Sequence, residues 1–368
     1  MCGPQKSFLR LFAWLGVGRI EVRGQSQLRS GQSRNLEEVA PLNDPMTDES
    51  EELPPTLNEL GWDLVQQALH MADDLRIEPV DSDSGACILD FGVEAPGSIG
   101  AGLALAEICL ASLAEVSIHP GEVAGVGWPH LFVQTDAPLE ACLLSQYAGW
   151  KISVGKYFAM GSGPMRAAYA NEAIFKELNY REAADAVVGV LESSKLPTKA
   201  VVAEIAKRCG VEPEQVALLV APTASLAGNM QVVARSVETA LHKLHTLGFD
   251  ISRVECGSGT APIPPVAADD MEGIGRTNDA ILYGGRVTLW VNGDDDDLLS
   301  LGPQVPSSAS AAYGQPFLKI FEAAGRDFYK IDPLLFSPAE VVIHNVDTGK
   351  VFVFGKVNHE VVRESFGF

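Results

Sequence analysis

Two short apolar runs, each followed by a turn of small residues and then by a helical pattern, constrain the fold most strongly. ACILDFGV (86–93) precedes APGSIGAG (95–102) and the apolar stretch LALAEICLASLAEV (103–116). EQVALLVAPTASLAG (214–228) precedes QVVARSVETALHKL (231–244) in the same way. Short apolar runs bounded by turn residues are typical of buried strands, and apolar residues three and four apart are typical of helices. Either an internal duplication or the common chemistry of such turns accounts for the likeness.

The second half of the chain is richer in strands. GRVTLWV (285–291) predicts one strand, and AEVVIHNV (339–346) and KVFVFGKV (350–357), separated by DTG, predict a hairpin. The sequence therefore predicts a mixed α/β (α+β) fold with two sub-domains, 46–195 and 196–368, and a substrate pocket between them. Further strands are predicted at 128–135 and 150–160, and further helices at 56–75, 160–178 and 196–211, the last ending at Gly210.

The charge balance limits the classes of partner. The 368 residues carry a formal net charge of −21, which disfavours binding to nucleic acid or to an anionic membrane surface. No uncharged apolar run is long enough to span a bilayer. The six cysteines are scattered without a C-x-x-C pair, which is typical of a reducing compartment and predicts a cytoplasmic protein.

Residues 1–45 differ in composition from the rest. They hold six basic and four acidic residues, whereas the whole chain is strongly acidic. Their one apolar stretch, FLRLFAWLGVG, is interrupted by Arg10 and is too short for a membrane span. We interpret residues 1–45 as a disordered or spurious N-terminal extension, with Met46 as a hypothetical start.

The segment 231–244 raises the main functional question. As one helix it has an apolar stripe and an opposite side that carries Arg235 and Glu238, three residues apart and able to meet. One interpretation is a solvated face with an ordinary ion pair, which contributes little to stability. The other is the wall of a reaction pocket, because the upstream strand and turn place the helix start where open α/β sheets form a crevice. That polar side is formed by Gln231, Arg235, Glu238, His242 and His245.

Two glycine turns are candidate binding sites. In MGSGPMRA (160–167), Arg166 beside a helix start is suited to an anion, although a plain turn with a capping serine is an equal alternative. APGSIGAG has the spacing G-x-x-G-x-G, which is not a dinucleotide fingerprint and favours tight packing. His242 and His245 have no evident third ligand, and Asp294–Asp297 lack the alternation of a calcium loop. We predict no metal site.

Several motifs in one order resemble the methenyltetrahydromethanopterin cyclohydrolase family. The likeness runs from about residue 56 to the C-terminus and has no counterpart in residues 1–45. It rests on DFGVEAPGSIGAG (90–102), YFAMGSGPMRA (157–167), APTASLAGNMQVVARSVETALHKL (221–244), GRTNDAILYGG (275–285) and FSPAEVVIHNV (336–346).

The resemblance implies hydrolysis of 5,10-methenyltetrahydromethanopterin to the 5-formyl product, with Arg235 and Glu238 as an acid–base pair. It implies a small-molecule pterin substrate with an anionic tail, no cofactor, and a homo-oligomer such as a trimer. The alternatives are another pterin- or nucleotide-binding enzyme, such as an oxidoreductase, and a non-catalytic pterin-binding protein. For such a substrate, side-chain chemistry favours Gly161, Ser162, Gly163, Arg166 and Arg276 for the anionic tail, and Asn278 and Asp279 for the pterin edge. An equal alternative for TNDAILYGG is a buried polar turn that only holds the fold.

Overall fold

Two six-stranded sheets form the framework of residues 54–368, the part of the chain that the computed structural model describes. The extension predicted for residues 1–45 lies outside the described residues. The strands are β1 (Glu78–Val80), β2 (Cys87–Asp90), β3 (Glu115–Val123), β4 (Val126–Thr135), β5 (Trp150–Val154), β6 (Tyr157–Ser162), β7 (Val187–Glu192), β8 (Val216–Ala221), β9 (Val254–Pro262), β10 (Arg286–Val291), β11 (Glu340–Asn345) and β12 (Val351–Gly355).

Helices connect and cover the strands. One of them, Leu139–Gln146, is a π-helix, a rare form that is frequently found at functional sites. The α-helices are α1 (Leu57–His70), α2 (Ala72–Leu75), α3 (Ile99–Cys109), α4 (Met165–Tyr169), α5 (Ala173–Glu177), α6 (Lys199–Cys209), α7 (Leu226–Val233), α8 (Ser236–Thr246), α9 (Asp270–Leu282), α10 (Asp295–Leu301), α11 (Phe317–Ala323) and α12 (His359–Phe366).

Both sheets are mixed, which confirms the predicted α+β class. The first has the order β1-β2-β8-β7-β6-β5, with β2, β8 and β7 parallel and the flanking pairs antiparallel. The second has the order β12-β11-β10-β9-β4-β3, with β10 and β11 parallel. Each sheet takes strands from both sides of residue 195, so the two sheets do not coincide with the ranges 46–195 and 196–368.

The first sheet is covered on both faces. Val188 and Leu219 pack with residues of α1 and α3, whereas Val187 and Leu218 pack with residues of α6 on the other face. Strands buried on both faces are expected to have nearly continuous apolar sequences, and VVGVLE in β7 has this pattern.

Helix α8 packs on the second sheet through its apolar stripe. Val237 and Leu241 belong to the same core cluster as Val287 and Leu289 of β10. Gly257 in β9 permits this close approach, because a Cβ atom there would lie 2.9 Å from Cγ1 of Val237. On the opposite side of α8, His242 stacks on Tyr147 at the end of the π-helix and His245 pairs with Glu177 of α5.

Several predicted elements differ in detail. The predicted strand 150–160 is a hairpin of β5 and β6, because Gly155 turns the chain at φ +61°. The predicted helix 160–178 is two short helices, α4 and α5, because Ala170 adopts a left-handed conformation at φ +47°. The hairpin of β11 and β12 is confirmed, as is the end of α6 at Gly210 with φ +80°.

Candidate active site

The segment 231–244 is two helices rather than the single helix predicted. Helix α7 ends at Val233 and α8 begins at Ser236, with Arg235 as its N-cap at φ −84° and ψ 12°. At the break, the Gln146 side-chain amide donates to the carbonyl oxygen of Ala234 at 3.2 Å. A contact from residue 146 thus accompanies a break that local periodicity does not reveal.

Arg235 is buried in a polar environment at this break. It is only 5% exposed. Its Nη1 donates to the Gln146 carbonyl oxygen at 2.5 Å, and its Nη2 donates to Glu192 Oε1 at 2.9 Å and to Ser162 Oγ at 3.2 Å. Its Nε is buried and has no hydrogen-bond partner among the described residues. One donor of this guanidinium is therefore unpaired in this structure.

Glu238 lies in the first turn of α8 and is 3% exposed. Burial raises its pKa to about 7, while Arg235 and Arg166 act to lower it and Glu192 acts to raise it. A carboxyl group with this pKa can exchange a proton near neutral pH. The interpretation of this helix side as a solvated face with an exposed ion pair is therefore wrong. The ion-pair partner of Arg235 is Glu192 and not a neighbour on the same helix.

Arg166 lies near this site but has partners of its own. It is 1% exposed, and its Nε and Nη2 donate to the two oxygens of Glu172 at 2.8 Å and 2.6 Å. Its Nη1 donates to the carbonyl oxygens of Leu143 and Ser145 at the end of the π-helix. Each nitrogen of this guanidinium therefore has an acceptor within the protein. Its positive charge also acts on the buried Glu238.

The glycine turn 161–163 joins Arg235 to the π-helix. Ser162 is buried, its hydroxyl accepts from Arg235, and it lies 3.3 Å from the Cys109 sulfur. Gly163 has φ +88°, which favours glycine, and its backbone N–H donates to the Ser145 carbonyl oxygen at 2.9 Å. Gly161 is a buried residue of β6. Ser162 therefore acts as a partner of Arg235 in this structure.

The substrate-binding residues predicted in α9 lie in a different place from Arg235 and Glu238. Asn278 donates to the Ile274 carbonyl oxygen, and Arg276 pairs with Glu272 at 2.6 Å. Asp279 is 1% exposed, accepts from the Phe317 backbone N–H at 2.8 Å, and has its pKa raised by burial to about 7. Arg276 and Asp279 line a cavity of about 200 Å³ whose lining includes neither Arg235 nor Glu238.

Sequence reasoning missed two residues of the site. Glu192 ends β7, and Gln146 ends the π-helix. The apolar run VVGVL before Glu192 is a detectable signal for a buried strand with an acid at its carboxyl end. No local pattern of this kind marks Gln146.

Other candidates have structural explanations. His242 stacks on Tyr147 at 4.7 Å, and His245 lies 2.8 Å from a carboxylate oxygen of Glu177. Between residues 54 and 368, no three His, Cys, Asp or Glu side chains form a group that could hold a metal ion. In APGSIGAG, a Cβ atom on Gly102 would lie 2.8 Å from Met230, which supports the packing interpretation of that turn. None of the helices in the described range could span a bilayer.

Known proteins resemble this chain over most of its length. The family model described as cyclohydrolase (MCH) matches residues 56–366. A methenyltetrahydromethanopterin cyclohydrolase of Methylobacillus flagellatus is 45% identical over 315 residues, which cover 85% of this chain and 96% of the relative. The enzyme of that name from Rhodopirellula baltica is 49% identical over 289 residues, covering 77% and 87%. The one from Methanocaldococcus jannaschii is 45% identical over 318 residues, covering 85% and 98%.

Proposed function

Because the chain belongs to the methenyltetrahydromethanopterin cyclohydrolase family, we propose that it hydrolyses 5,10-methenyltetrahydromethanopterin to 5-formyltetrahydromethanopterin with Glu238 as general base. The observation that carries the role of Glu238 is its burial beside Arg235, with a pKa of about 7. The reaction belongs to one-carbon metabolism, since a single carbon between two nitrogens is opened to a formyl group.

The chemistry needs a positioned water and a base. The methenyl carbon bridges two nitrogens as a cationic amidinium, so it is already electrophilic. Water adds to this carbon while Glu238 accepts one of its protons, as general base catalysis requires. The bond from the carbon to N10 then breaks, N10 takes a proton back from Glu238, and the carbinol oxygen becomes the formyl oxygen as it releases the remaining proton. The sum is substrate plus water giving formyl product and one proton.

Arg235 has two parts in this scheme. Its contacts with Gln146, Ser162 and Glu192 fix the guanidinium rigidly. Its charge opposes the effect of burial on Glu238, so the pKa of this carboxyl stays at about 7 and the group can lose its proton near neutral pH. The free Nε–H of Arg235 is suited to donate to the oxygen that water brings to the carbon.

The remaining proposed roles concern substrate binding. Gly161, Ser162 and Gly163 lie beside Arg235 and are suited to contact the substrate near the reacting carbon. Arg276, Asn278 and Asp279 are proposed for a distant part of the substrate, supported by the cavity that Arg276 and Asp279 line. The resemblance also supports a cytoplasmic homo-oligomer, such as a trimer, and sedimentation of the purified protein measures its subunit number.

Substitution of Glu238 tests its proposed role as the general base. We expect Glu238→Gln to reduce kcat by about 10²–10⁴-fold, the usual contribution of proton transfer by a positioned group. In the wild type, kcat should rise with pH through about 7, because the base acts only when it is deprotonated. Loss of the methenyl absorbance measures both. Glu204→Gln, in a surface pair with Arg208, is the control and should keep wild-type activity. Near-normal turnover by Glu238→Gln would show that another group is the base.

The same assay tests which pterin carries the one-carbon unit of the substrate. Methenyltetrahydromethanopterin and methenyltetrahydrofolate are offered separately, and the enzymatic rate is compared with spontaneous hydrolysis. Rapid loss of absorbance with the first compound alone supports the proposed substrate. Spontaneous rates with both would contradict the proposed activity.

A further inference from the structure

We propose that Glu192 is a positioning residue of this site, which holds the Arg235 guanidinium in place and adjusts the charge of the site to a cationic substrate. The inference rests on the proposed function, because the substrate charge comes from that proposal. Glu192 would act through Arg235 and Glu238 and would not itself take the proton from water.

The position of Glu192 supports this role. It is the last residue of β7, a parallel strand, and the carboxyl ends of parallel strands are where α/β sheets commonly bind ligands. Its Oε1 accepts from Nη2 of Arg235 at 2.9 Å, and its side chain is 19% exposed, whereas that of Arg235 is 7% exposed. Removing one partner of such a buried pair leaves an uncompensated charge, so the geometry of the other partner depends on it.

The charges around Glu238 come in pairs. Arg166 pairs with Glu172 at 2.6 Å, and Arg235 pairs with Glu192 at 2.9 Å. We call these four residues and Glu238 the arginine–glutamate cluster. Its two arginines and three carboxylates sum to −1 when Glu238 is ionised, which suits a singly charged amidinium. Without the charge of Glu192 the same cluster sums to zero and attracts the substrate less.

Burial is the largest influence on the pKa of Glu238, and charged groups from several elements add to it. Arg235 at the start of α8 and Arg166 from α4 lower its pKa, and Glu192 from β7 raises it. Cys142 from the π-helix interacts with Glu238 as well, but burial raises the pKa of this thiol well above its ordinary value, so it is neutral near pH 7. Among these groups, Glu192 is the negative charge that opposes the two arginines. Its removal should therefore lower the pKa of Glu238.

The experiment compares Glu192→Gln with Glu192→Asp. Glutamine keeps the shape and removes the charge, whereas aspartate keeps the charge and shortens the reach to Arg235. For Glu192→Gln we expect the acid limb of the kcat profile to move to lower pH, because the substitution removes a like charge that raises the pKa of Glu238. We also expect KM to rise several-fold and kcat to fall about 10-fold. For Glu192→Asp the limb should stay near the wild-type position while kcat falls.

A direct titration separates this inference from the proposed function. Carbon-13 NMR of protein labelled at the glutamate carboxyls follows Glu238 without substrate, and its signal is assigned as the one lost in Glu238→Gln. A downward shift of this titration in Glu192→Gln, but not in Glu192→Asp, supports the role of Glu192 even if the assigned reaction is wrong. An unchanged titration in Glu192→Gln, or equal shifts in both variants, overturns it.

The unfolding temperature of the two Glu192 variants distinguishes a positioning role from a purely structural one. A residue that only supports the fold would lower the unfolding temperature in both variants and leave the acid limb in place. That result would also overturn the proposal. Glu204→Gln again serves as the control for removing a glutamate from an arginine pair, here at the surface.

Discussion

Lys243, in the last turn of α8, shows how a single buried charge affects the stability of the fold. Its residue surface is 0% exposed, and its Nζ donates to the carbonyl oxygen of Leu334. Burial lowers its pKa from 10.5 to about 8, while Asp332 acts to raise it. A lysine with a depressed pKa destabilises the folded state whenever it is charged, because the unfolded chain holds the proton more tightly.

The sign of the pH dependence follows from this shift. Between about pH 8 and 10.5 the unfolded state binds more protons at Lys243 than the folded state does, so this group makes stability rise with pH. We expect the unfolding free energy of the wild type, relative to Lys243→Met, to increase by about 2 kcal/mol across that window. Urea unfolding at pH 7, 9 and 10.5 measures it. Lys207→Met, at an exposed position of α6, is the control and should show no such change. A difference in unfolding free energy between the wild type and Lys243→Met that does not vary with pH would contradict the prediction.

At the scale of elements, the packing of α3 on α7 depends on a glycine. A Cβ atom at Gly102 would lie 2.8 Å from both Cβ and Sδ of Met230. The Cβ of Met230 is fixed to the backbone of α7, so the helices must separate to admit a methyl group. Overpacking of this kind typically costs about 1–3 kcal/mol.

Gly102→Ala should therefore lower the unfolding free energy by about 1–2 kcal/mol, since the better helix propensity of alanine offsets part of the cost. Gly127→Ala is the matched control. Nothing lies within 4 Å of a Cβ there, so its stability should equal or slightly exceed that of the wild type. Both are measured by denaturant unfolding. A Gly102→Ala protein as stable as the control would mean that the two helices do not depend on this close contact.

The elements that sequence predicted well are those specified locally. The hairpin of β11 and β12 has a turn signal between alternating strands, and α6 ends at a glycine that adopts φ +80°. The break at Ala234 involves Gln146, and the burial of Arg235 involves Glu192, both distant along the chain. Helical periodicity could place Arg235 and Glu238 on one side of a helix, but only tertiary contacts reveal which partners those charges take.

The π-helix Leu139–Gln146 illustrates the same limit. Its last carbonyl oxygens accept from both buried arginines: Leu143 and Ser145 from Arg166, and Gln146 from Arg235. The carboxyl end of a helix carries partial negative charge, so it is a suitable place for two guanidinium groups. The segment LEACLLSQ contains no motif that distinguishes a π-helix from an α-helix, which is why the source of these contacts could not be predicted.

At the scale of the whole molecule, the surface charges and the charges of the site lie in different environments. The chain has 48 acidic and 27 basic residues, a formal net charge of −21, yet two arginines are almost fully buried beside Glu238. Much of the acidic excess is on the surface, as in Asp294–Asp297, where Asp294 caps α10. The surface charges repel one another through water, whereas the buried pairs interact where salt screens them little.

Salt should therefore stabilise this protein. Like charges on the surface raise the free energy of the folded state, and the screening length falls from about 30 Å at 0.01 M salt to about 8 Å at 0.15 M. With a net charge of −21, we expect the unfolding temperature to rise by a few degrees over this range. Calorimetry in sodium chloride measures the rise, and choline chloride at equal ionic strength distinguishes screening from binding of a particular cation. The two salts should act alike, because screening depends on ionic strength alone. A fall in the unfolding temperature would mean that surface ion pairs, such as Lys319 with Glu364, outweigh the repulsion among the acidic residues.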